Sequence, residues 1–232
     1  KRVIILLLCF VLLGSSIDGV YSDEYILAKN MSSVNKAGGE FTFVIDAGHG
    51  GVDGGAVGIN GVLEKDINLS LSFILADVLR VMGYNAVMTR KSDELLGEHT
   101  KGQMKLEDLR SRVDFVKKYE NSVFISIHMN KYPEEYCKGL TVYYSPNDPE
   151  SEELGKSIRE STLKYLQPNN KRPMKKATSA LYVLNRATVP AVLVECGFLS
   201  NTEEAELLKT ESYQKKLALT IACGIAQWSE NK

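Results

Sequence analysis

The sequence contains few cysteines and no excess of charge of either sign. Its 232 residues include four cysteines, and 28 Lys and Arg balance 29 Asp and Glu, for a formal net charge of −1. Without a basic excess, the chain lacks the electrostatic signature of nucleic-acid binding, so we expect no nucleic-acid partner. Downstream of Cys9, the widely spaced Cys137, Cys196 and Cys223 indicate neither a disulfide framework nor a C-x-x-C metal site. These cysteines are expected to be small, buried apolar residues.

The sequence also lacks the motifs of phosphate-binding and serine-nucleophile enzymes. The glycine-rich segment 48–61 does not match G-x-G-x-x-G, and Gly155-Lys156-Ser157 is not preceded by the glycine of a P-loop. Ser126 and Cys196 do not lie in a G-x-S-x-G nucleophile elbow. No internal repeat or low-complexity segment is present. These absences disfavour a nucleotide-binding enzyme, a serine hydrolase and a repeat protein.

The apolar run Val3–Leu13 is too short to predict a transmembrane helix. It follows Lys1-Arg2 and resembles an export signal, although no A-x-A cleavage site follows it. We therefore predict a signal peptide or an uncleaved signal anchor over 1–21, with a buried N-terminal helix as the alternative. Residues 22–40 are predicted to be a polar tether and residues 41–232 the folded domain. Either form of signal places the domain outside the cytoplasm, and an uncleaved anchor would also attach it to the membrane.

From Phe41 onward, strand-like and helix-like segments alternate. This pattern predicts an α/β fold: a single three-layer domain with a largely parallel central sheet flanked by helices. Strands are predicted over 41–45, 84–90, 122–128, 139–144, 181–184 and 191–195. Helices are predicted over 63–82, 106–119, 149–166, 202–208 and 212–228, the first ending at a Gly83 cap.

Polar side chains stand at the ends of three predicted strands. His49 follows the first strand in a glycine-dense turn, His128 ends the third strand, and Glu195 ends the last. Because the carboxyl ends of parallel strands lie along one edge of a sheet, these residues are expected to converge there. Glu64 lies in the first turn of the first helix, which the glycine-rich loop can bring beside His49. The third histidine, His99, is expected to be an ordinary surface residue.

Two imidazoles and one carboxylate are typical of a catalytic zinc site whose fourth position is left to water. Such a site also needs a carboxylate that takes the water's proton and passes it to the leaving amine, and Glu195 suits this role because an apolar strand precedes it. Asp46 and Asp53 are candidates for holding the imidazoles in orientation. Simpler roles stay open at this point: Glu64 as a favourable anion at a helix N-terminus, and Glu195 as the partner of a basic residue.

Several motifs in order resemble those of the zinc-dependent N-acetylmuramoyl-L-alanine amidases, the bacterial cell-wall hydrolases of amidase type 3. They are Asp46-Ala-Gly-His-Gly-Gly51, Gly61-Val-Leu-Glu64-Lys65, Thr89-Arg90, Phe124-Ile-Ser-Ile-His128-Met-Asn130 and Pro190-Ala-Val-Leu-Val-Glu195-Cys-Gly-Phe-Leu-Ser-Asn201. The similarity covers Phe41 to Trp228, so it implies that 41–232 is a catalytic amidase domain.

The resemblance implies that His49, Glu64 and His128 bind Zn²⁺ and that Glu195 is the catalytic glutamate. It implies a peptidoglycan substrate and cleavage of the amide between the lactyl group of N-acetylmuramic acid and L-alanine. Arg90 and Arg112 match basic positions of the family. We interpret Arg112 as a structural helix residue and assign no role to Arg90.

One catalytic domain behind an N-terminal apolar segment is most similar to the spore-cortex, germination-specific amidases, which prepare muramic acid for conversion to the muramic δ-lactam. Such a domain is expected to depend on a membrane anchor or on a protein partner for targeting or activation. The alternatives are a division or remodelling amidase, a zinc exopeptidase, and a catalytically silent wall-binding protein.

Overall fold

The computed structural model describes residues 41–232, except for the side chain of Asn60. The predicted signal segment 1–21 and the tether 22–40 lie outside the described residues. Among residues 41–232, no helix combines the length and the hydrophobicity that a membrane crossing requires.

A six-stranded sheet forms the centre of the domain, in the order β2-β1-β3-β6-β4-β5. Every strand pair is parallel except β4 with β6. This confirms the predicted largely parallel sheet. The strands are β1 Thr42–Ala47, β2 Asn85–Met88, β3 Ser122–Asn130, β4 Thr141–Tyr144, β5 Lys175–Lys176 and β6 Ala191–Phe198.

Residues 41–232 contain six α-helices, and helices pack on both faces of the sheet. On one face, α1 contacts β1, β2 and β3, α3 contacts β4 and β6, and both helices pack on α6. On the other face, Val44 and Phe124 pack with Val116 of α2 and Leu184 of α4. The helices are α1 Glu64–Val81, α2 Met104–Val116, α3 Glu150–Tyr165, α4 Tyr182–Arg186, α5 Thr202–Leu208 and α6 Glu211–Ser229.

The central strands are buried almost throughout, because helices cover both faces of a parallel sheet. In β3, every residue from Ser122 to Ile127 is buried, and so are the first four residues of β6. The α1 helix ends as expected beside Gly83, whose φ of 94° lies in the left-handed region that favours glycine. The carboxyl ends of β1, β3 and β6, three neighbouring strands, therefore lie side by side at one rigid edge.

Two local predictions were wrong. The segment 181–184 is not a strand: Leu181 is the N-cap residue of α4, and Asn185 N donates to Leu181 O at 2.9 Å. Its four consecutive apolar residues are too few to distinguish a strand from one helical turn, and only Leu184 is buried. The short edge strand β5 was not expected, because two exposed lysines carry no apolar alternation. Other element bounds differ from those predicted by a few residues at their ends.

Candidate active site

The turn that follows β1 has an unusual backbone conformation held by two buried arginines. His49 has a φ of 61°, which is uncommon for a residue with a Cβ. Arg90 donates to Ala47 O at 2.9 Å and to Gly48 O at 3.1 Å. Arg112 donates to Ala47 O at 2.9 Å and to His49 O at 2.8 Å. Three successive carbonyl groups of the turn thus accept from guanidinium groups, which holds His49 in its left-handed conformation.

The structure brings His49, Glu64 and His128 together. The Glu64 carboxylate lies between the two imidazoles, with Oε1 2.9 Å from Nδ1 of His128 and Oε2 3.3 Å from Nε2 of His49. The centroids of the two imidazole rings are 4.9 Å apart, and the rings are arranged edge to face. One ligand atom from each residue lies within 4.8 Å of the others, and no other group of this kind occurs in the part of the chain that the structure describes. This trio is a candidate metal site.

Glu64 is fixed in place by hydrogen bonds from three directions. Its Oε2 accepts from Ala56 N at 2.8 Å, and its Oε1 accepts from Met129 N at 3.1 Å. Asn68, one turn further along α1, donates to Oε1 at 3.3 Å and also to Gly48 O at 3.1 Å. Asn68 was not predicted from the sequence, although its i+4 spacing from Glu64 on a helix is a signal that identifies it.

Glycines make room for the three side chains. A Cβ on Gly48 would lie 2.3 Å from Nε2 of His128, and a Cβ on Gly55 would lie 2.6 Å from Oε2 of Glu64. Such separations are impossible between non-bonded heavy atoms, so any larger residue would displace the side chains. The glycine-rich segment therefore serves close approach of backbone to the candidate ligands, as glycines at such turns do.

Of the two aspartates expected to orient the imidazoles, only Asp53 does so. Its Oδ2 lies 3.0 Å from Nδ1 of His49, which leaves Nε2 of that ring facing Glu64. Asp46 instead accepts from Arg112 at 2.6 Å, and from Thr89 and Ser126 at 2.7 and 2.6 Å. Asp46 forms a buried ion pair that fixes α2 to the end of β1.

Neighbouring groups in this cluster lower the pKa of Glu64 and raise that of His49. Burial alone would raise the pKa of Glu64, but hydrogen bonds with His128 and His49 outweigh it and hold that pKa far below its usual range. Burial alone would lower the pKa of His49, but the carboxylates of Glu64 and Asp53 outweigh it and raise that pKa. The Glu64 carboxyl is therefore ionised, as a metal ligand must be.

Glu195 lies directly beside His128, its register partner on the neighbouring parallel strand. The residue is half-buried, and its Oε2 is fully buried without a hydrogen-bond partner among the described residues. Burial raises the pKa of Glu195 to about 7, with the charge on Glu64 adding to the effect and that on His128 opposing it. A carboxyl group with this pKa can hold or release a proton near neutral pH.

His99, the third histidine, does not join this cluster. It lies half-buried in the loop between β2 and α2, and neither of its ring nitrogens has a hydrogen-bond partner in the described part of the chain. Only two of the three histidines therefore take part in the candidate site.

A candidate metal centre beside a carboxyl group of raised pKa, at the carboxyl edge of a parallel sheet, defines the class of a metal-assisted hydrolase. A family of N-acetylmuramoyl-L-alanine amidases, Amidase_3, matches residues 43–227 of the chain. The chain belongs to this family. It is an N-acetylmuramoyl-L-alanine amidase, an enzyme of the bacterial cell wall that acts outside the cytoplasm.

Individual relatives agree with the family assignment. The germination-specific N-acetylmuramoyl-L-alanine amidase of Bacillus subtilis (strain 168) is 39% identical over 191 residues, 81% of this chain and 79% of the relative. Among solved structures, the CwlD amidase of Clostridioides difficile, in complex with the GerS lipoprotein, is 34% identical with a TM-score of 0.78, over 82% of this chain and 99% of that one. AmiC2 of Nostoc punctiforme is 32% identical with a TM-score of 0.71, over 83% and 98% of the two chains. These likenesses confirm the three-layer fold.

Proposed function

We propose that the chain binds one zinc ion through His49, Glu64 and His128, and that Glu195 transfers the protons during hydrolysis of the amide between N-acetylmuramic acid and L-alanine in peptidoglycan. One observation carries the proposal: two imidazole nitrogens and one carboxylate oxygen lie within 4.8 Å of one another, next to a carboxyl group whose pKa is raised to about 7.

The donor set fits zinc. Zinc binds imidazole nitrogen and carboxylate oxygen, and its catalytic sites combine three protein ligands with one open position. Softer ions would favour cysteine, and magnesium or calcium would favour oxygen ligands alone. The Asp53 carboxylate at Nδ1 of His49 is the kind of partner that fixes the tautomer of a histidine ligand and raises its basicity.

Within this proposal, a bound zinc ion supplies Lewis acidity, which polarises the scissile carbonyl and acidifies the attacking water. Glu195 accepts the proton of that water, because its carboxyl group lies beside His128 and has a pKa raised to about 7. The same carboxyl group then gives the proton to the leaving amide nitrogen, which departs as the free amine of L-alanine. The apolar strand before Glu195 keeps its pKa near neutrality, so both transfers are feasible.

Three variants of the purified enzyme test the assignment of roles. Glu195→Gln is expected to keep about one zinc per chain by elemental analysis and to lose turnover by a factor of about 10² to 10⁴. His128→Gln is expected to lose both zinc and turnover. His99→Gln is the matched control, because this histidine lies outside the cluster, and it is expected to keep both. Wild-type turnover by Glu195→Gln would remove the proposed mechanism.

Mass spectrometry of digested peptidoglycan distinguishes the alternatives. The proposed amidase releases whole stem peptides with a free N-terminal L-alanine and leaves the sugar strands intact. A zinc exopeptidase would instead release terminal amino acids from peptides still attached to sugar. A silent wall-binding protein would sediment with wall sacs and release nothing.

We further propose a role in the spore cortex, with an accessory protein that targets or activates the enzyme. The names of two relatives support this: one from Bacillus subtilis is called germination-specific, and the CwlD amidase was solved in complex with a lipoprotein. Export by the segment 1–21 belongs to the same proposal. A strain lacking the gene should make spores whose cortex has no muramic δ-lactam, and normal lactam content would favour the division or remodelling role.

A further inference from the structure

A wall of three connected loop segments stands beside the candidate metal site. Ile59 N donates to Leu199 O at 3.2 Å, and Leu199 N donates to Asn130 O at 2.8 Å. Tyr132 N donates to Ser200 Oγ at 3.0 Å. The segments 56–59 and 199–200 follow β1 and β6, and the segment 130–132 begins at the last residue of β3; the site lies at the ends of these strands. The wall is therefore a fixed border of the site rather than a set of independent loops.

Lys131 lies across this wall. Its Nζ donates to Val57 O at 2.9 Å, and the preceding residue, Ala56, donates its N–H to Oε2 of Glu64 at 2.8 Å. Standard backbone dimensions between these two hydrogen bonds place the Lys131 ammonium within about 14 Å of the Glu64 carboxylate. The hydrogen bond to Val57 O holds the ammonium group at the border of the site.

The charge of Lys131 has no carboxylate partner within 4.0 Å among residues 41–232, and its one polar contact is a carbonyl oxygen. The other lysines near the site are paired: Lys65 lies 2.6 Å from Asp93, and Lys105 lies 3.5 Å from Asp53. Lys131 therefore offers an available cation at the border of the site.

The surface next to Lys131 is apolar and exposed. Val57 is 49% exposed and Tyr132 is 54% exposed, although hydrogen bonds with Lys131 Nζ and Ser200 Oγ fix the backbone of both residues in the wall. An ammonium group next to exposed aliphatic and aromatic side chains suits a ligand with carboxylates on a partly apolar chain. Of the two halves of the substrate in the proposed function, the peptide has this chemistry, since it carries free carboxylates and alkyl groups, whereas the sugar strand is largely neutral.

We propose that Lys131 binds a free carboxylate of the stem peptide, and that Lys131, Val57 and Tyr132 form the subsite for the leaving peptide. This inference rests on the proposed function and extends it by assigning one border of the site to the amine side of the scissile bond. The sugar strand then extends away from this wall.

A comparison of charged and neutral substrates tests the proposal. Muramyl peptides with free stem carboxylates, and the same peptides with those groups converted to carboxamides, are hydrolysed by the zinc-loaded wild type, Lys131→Met and Lys131→Arg. Lys131→Met should raise KM for the free carboxylate form about threefold to tenfold, with little change in kcat. This factor is the one expected for the loss of an ion pair that is exposed or partly desolvated. The same variant should leave KM for the carboxamide form unchanged, and Lys131→Arg should restore most of the lost affinity.

Two controls separate binding from folding and from catalysis. Lys176→Met removes an exposed lysine on the edge strand β5 and should change KM for neither substrate. In the Glu195→Gln background, which is expected not to turn over, adding Lys131→Met should weaken direct binding of the free carboxylate peptide by the same factor and reduce its salt dependence.

Equal effects of Lys131→Met on the charged and neutral substrates would overturn the proposal, and so would an unchanged KM for both. In either case, cleavage at the amide by the wild type would leave the proposed function intact. Failure of the wild type to cleave either substrate would instead contradict the proposed function itself.

Discussion

Replacing Glu195 with glutamine should stabilise the metal-free protein in alkaline solution, because the folded state keeps this carboxyl group in a buried position without a hydrogen-bond partner for Oε2 among the described residues. The substitution preserves shape and removes the charge. When a buried acid serves function and not stability, its replacement by a neutral residue of the same shape is expected to stabilise the fold.

The magnitude follows from the pKa of Glu195, which burial raises from 4.5 to about 7. Between these two values the folded protein keeps a proton that the unfolded chain has lost, so the stability of the wild type falls as pH rises through this window. At ~1.36 kcal/mol per pH unit, the full cost is about 3 kcal/mol above pH 7. Glutamine does not ionise, so the variant avoids this cost.

The assay is urea unfolding of both proteins in the presence of a chelator, at several pH values from 4.5 to 8.5. The free energy of unfolding of Glu195→Gln minus that of the wild type should increase by about 3 kcal/mol from the lowest to the highest pH. A difference that stays constant across the range would refute the argument, because it would show that Glu195 ionises in the folded state as easily as in the unfolded chain.

Three further predictions concern the surroundings of the candidate ligands. Gly48→Ala places a methyl group 2.3 Å from Nε2 of His128, so zinc affinity measured by chelator competition should fall by more than tenfold. Asp53→Asn weakens the partner of Nδ1 of His49 and should lower zinc affinity about 10- to 100-fold in the same assay, with far-ultraviolet circular dichroism unchanged. Arg112→Met leaves two buried carboxylates without their guanidinium partner and should lower the free energy of unfolding by about 3 to 5 kcal/mol in urea; a loss under 1 kcal/mol would contradict the structural role of this ion pair.

The convergence of His49, His128 and Glu195 was predictable because each residue stands at the end of a buried strand. Parallel strands place their carboxyl ends at one edge, so identifying the strands was enough to bring distant residues together. Glu64 was predictable from a different signal, the glycine-dense segment that connects β1 to the first turn of α1. Both predictions depended on local patterns and one rule of topology.

The role of Asp46 was not predicted, although strand alternation contains the information. Asp46 lies two residues after Val44 on β1, so its side chain faces the same side of the sheet, where α2 packs. There it meets Arg112, and the imidazoles lie beyond the strand end. The contacts of Arg90 and Arg112 with the carbonyls of the turn were not accessible from the sequence, because they depend on where a loop and a helix dock against β1.

The segment 181–184 shows a different limit. Four residues with apolar side chains satisfy both a short strand and a single helical turn, and tertiary packing decides between them. Here Leu184 is buried in the core cluster on the α2 face of the sheet, and Val183 packs against this cluster while partly buried.

Anomalous diffraction at the zinc edge from crystals of the zinc-loaded enzyme tests the central claim most directly. The account predicts one strong peak within coordination distance of His49 Nε2, a Glu64 carboxylate oxygen and His128 Nδ1, with Glu195 nearby but not bound to the ion. A peak that lies elsewhere, or no peak from crystals grown with zinc in excess, would contradict it.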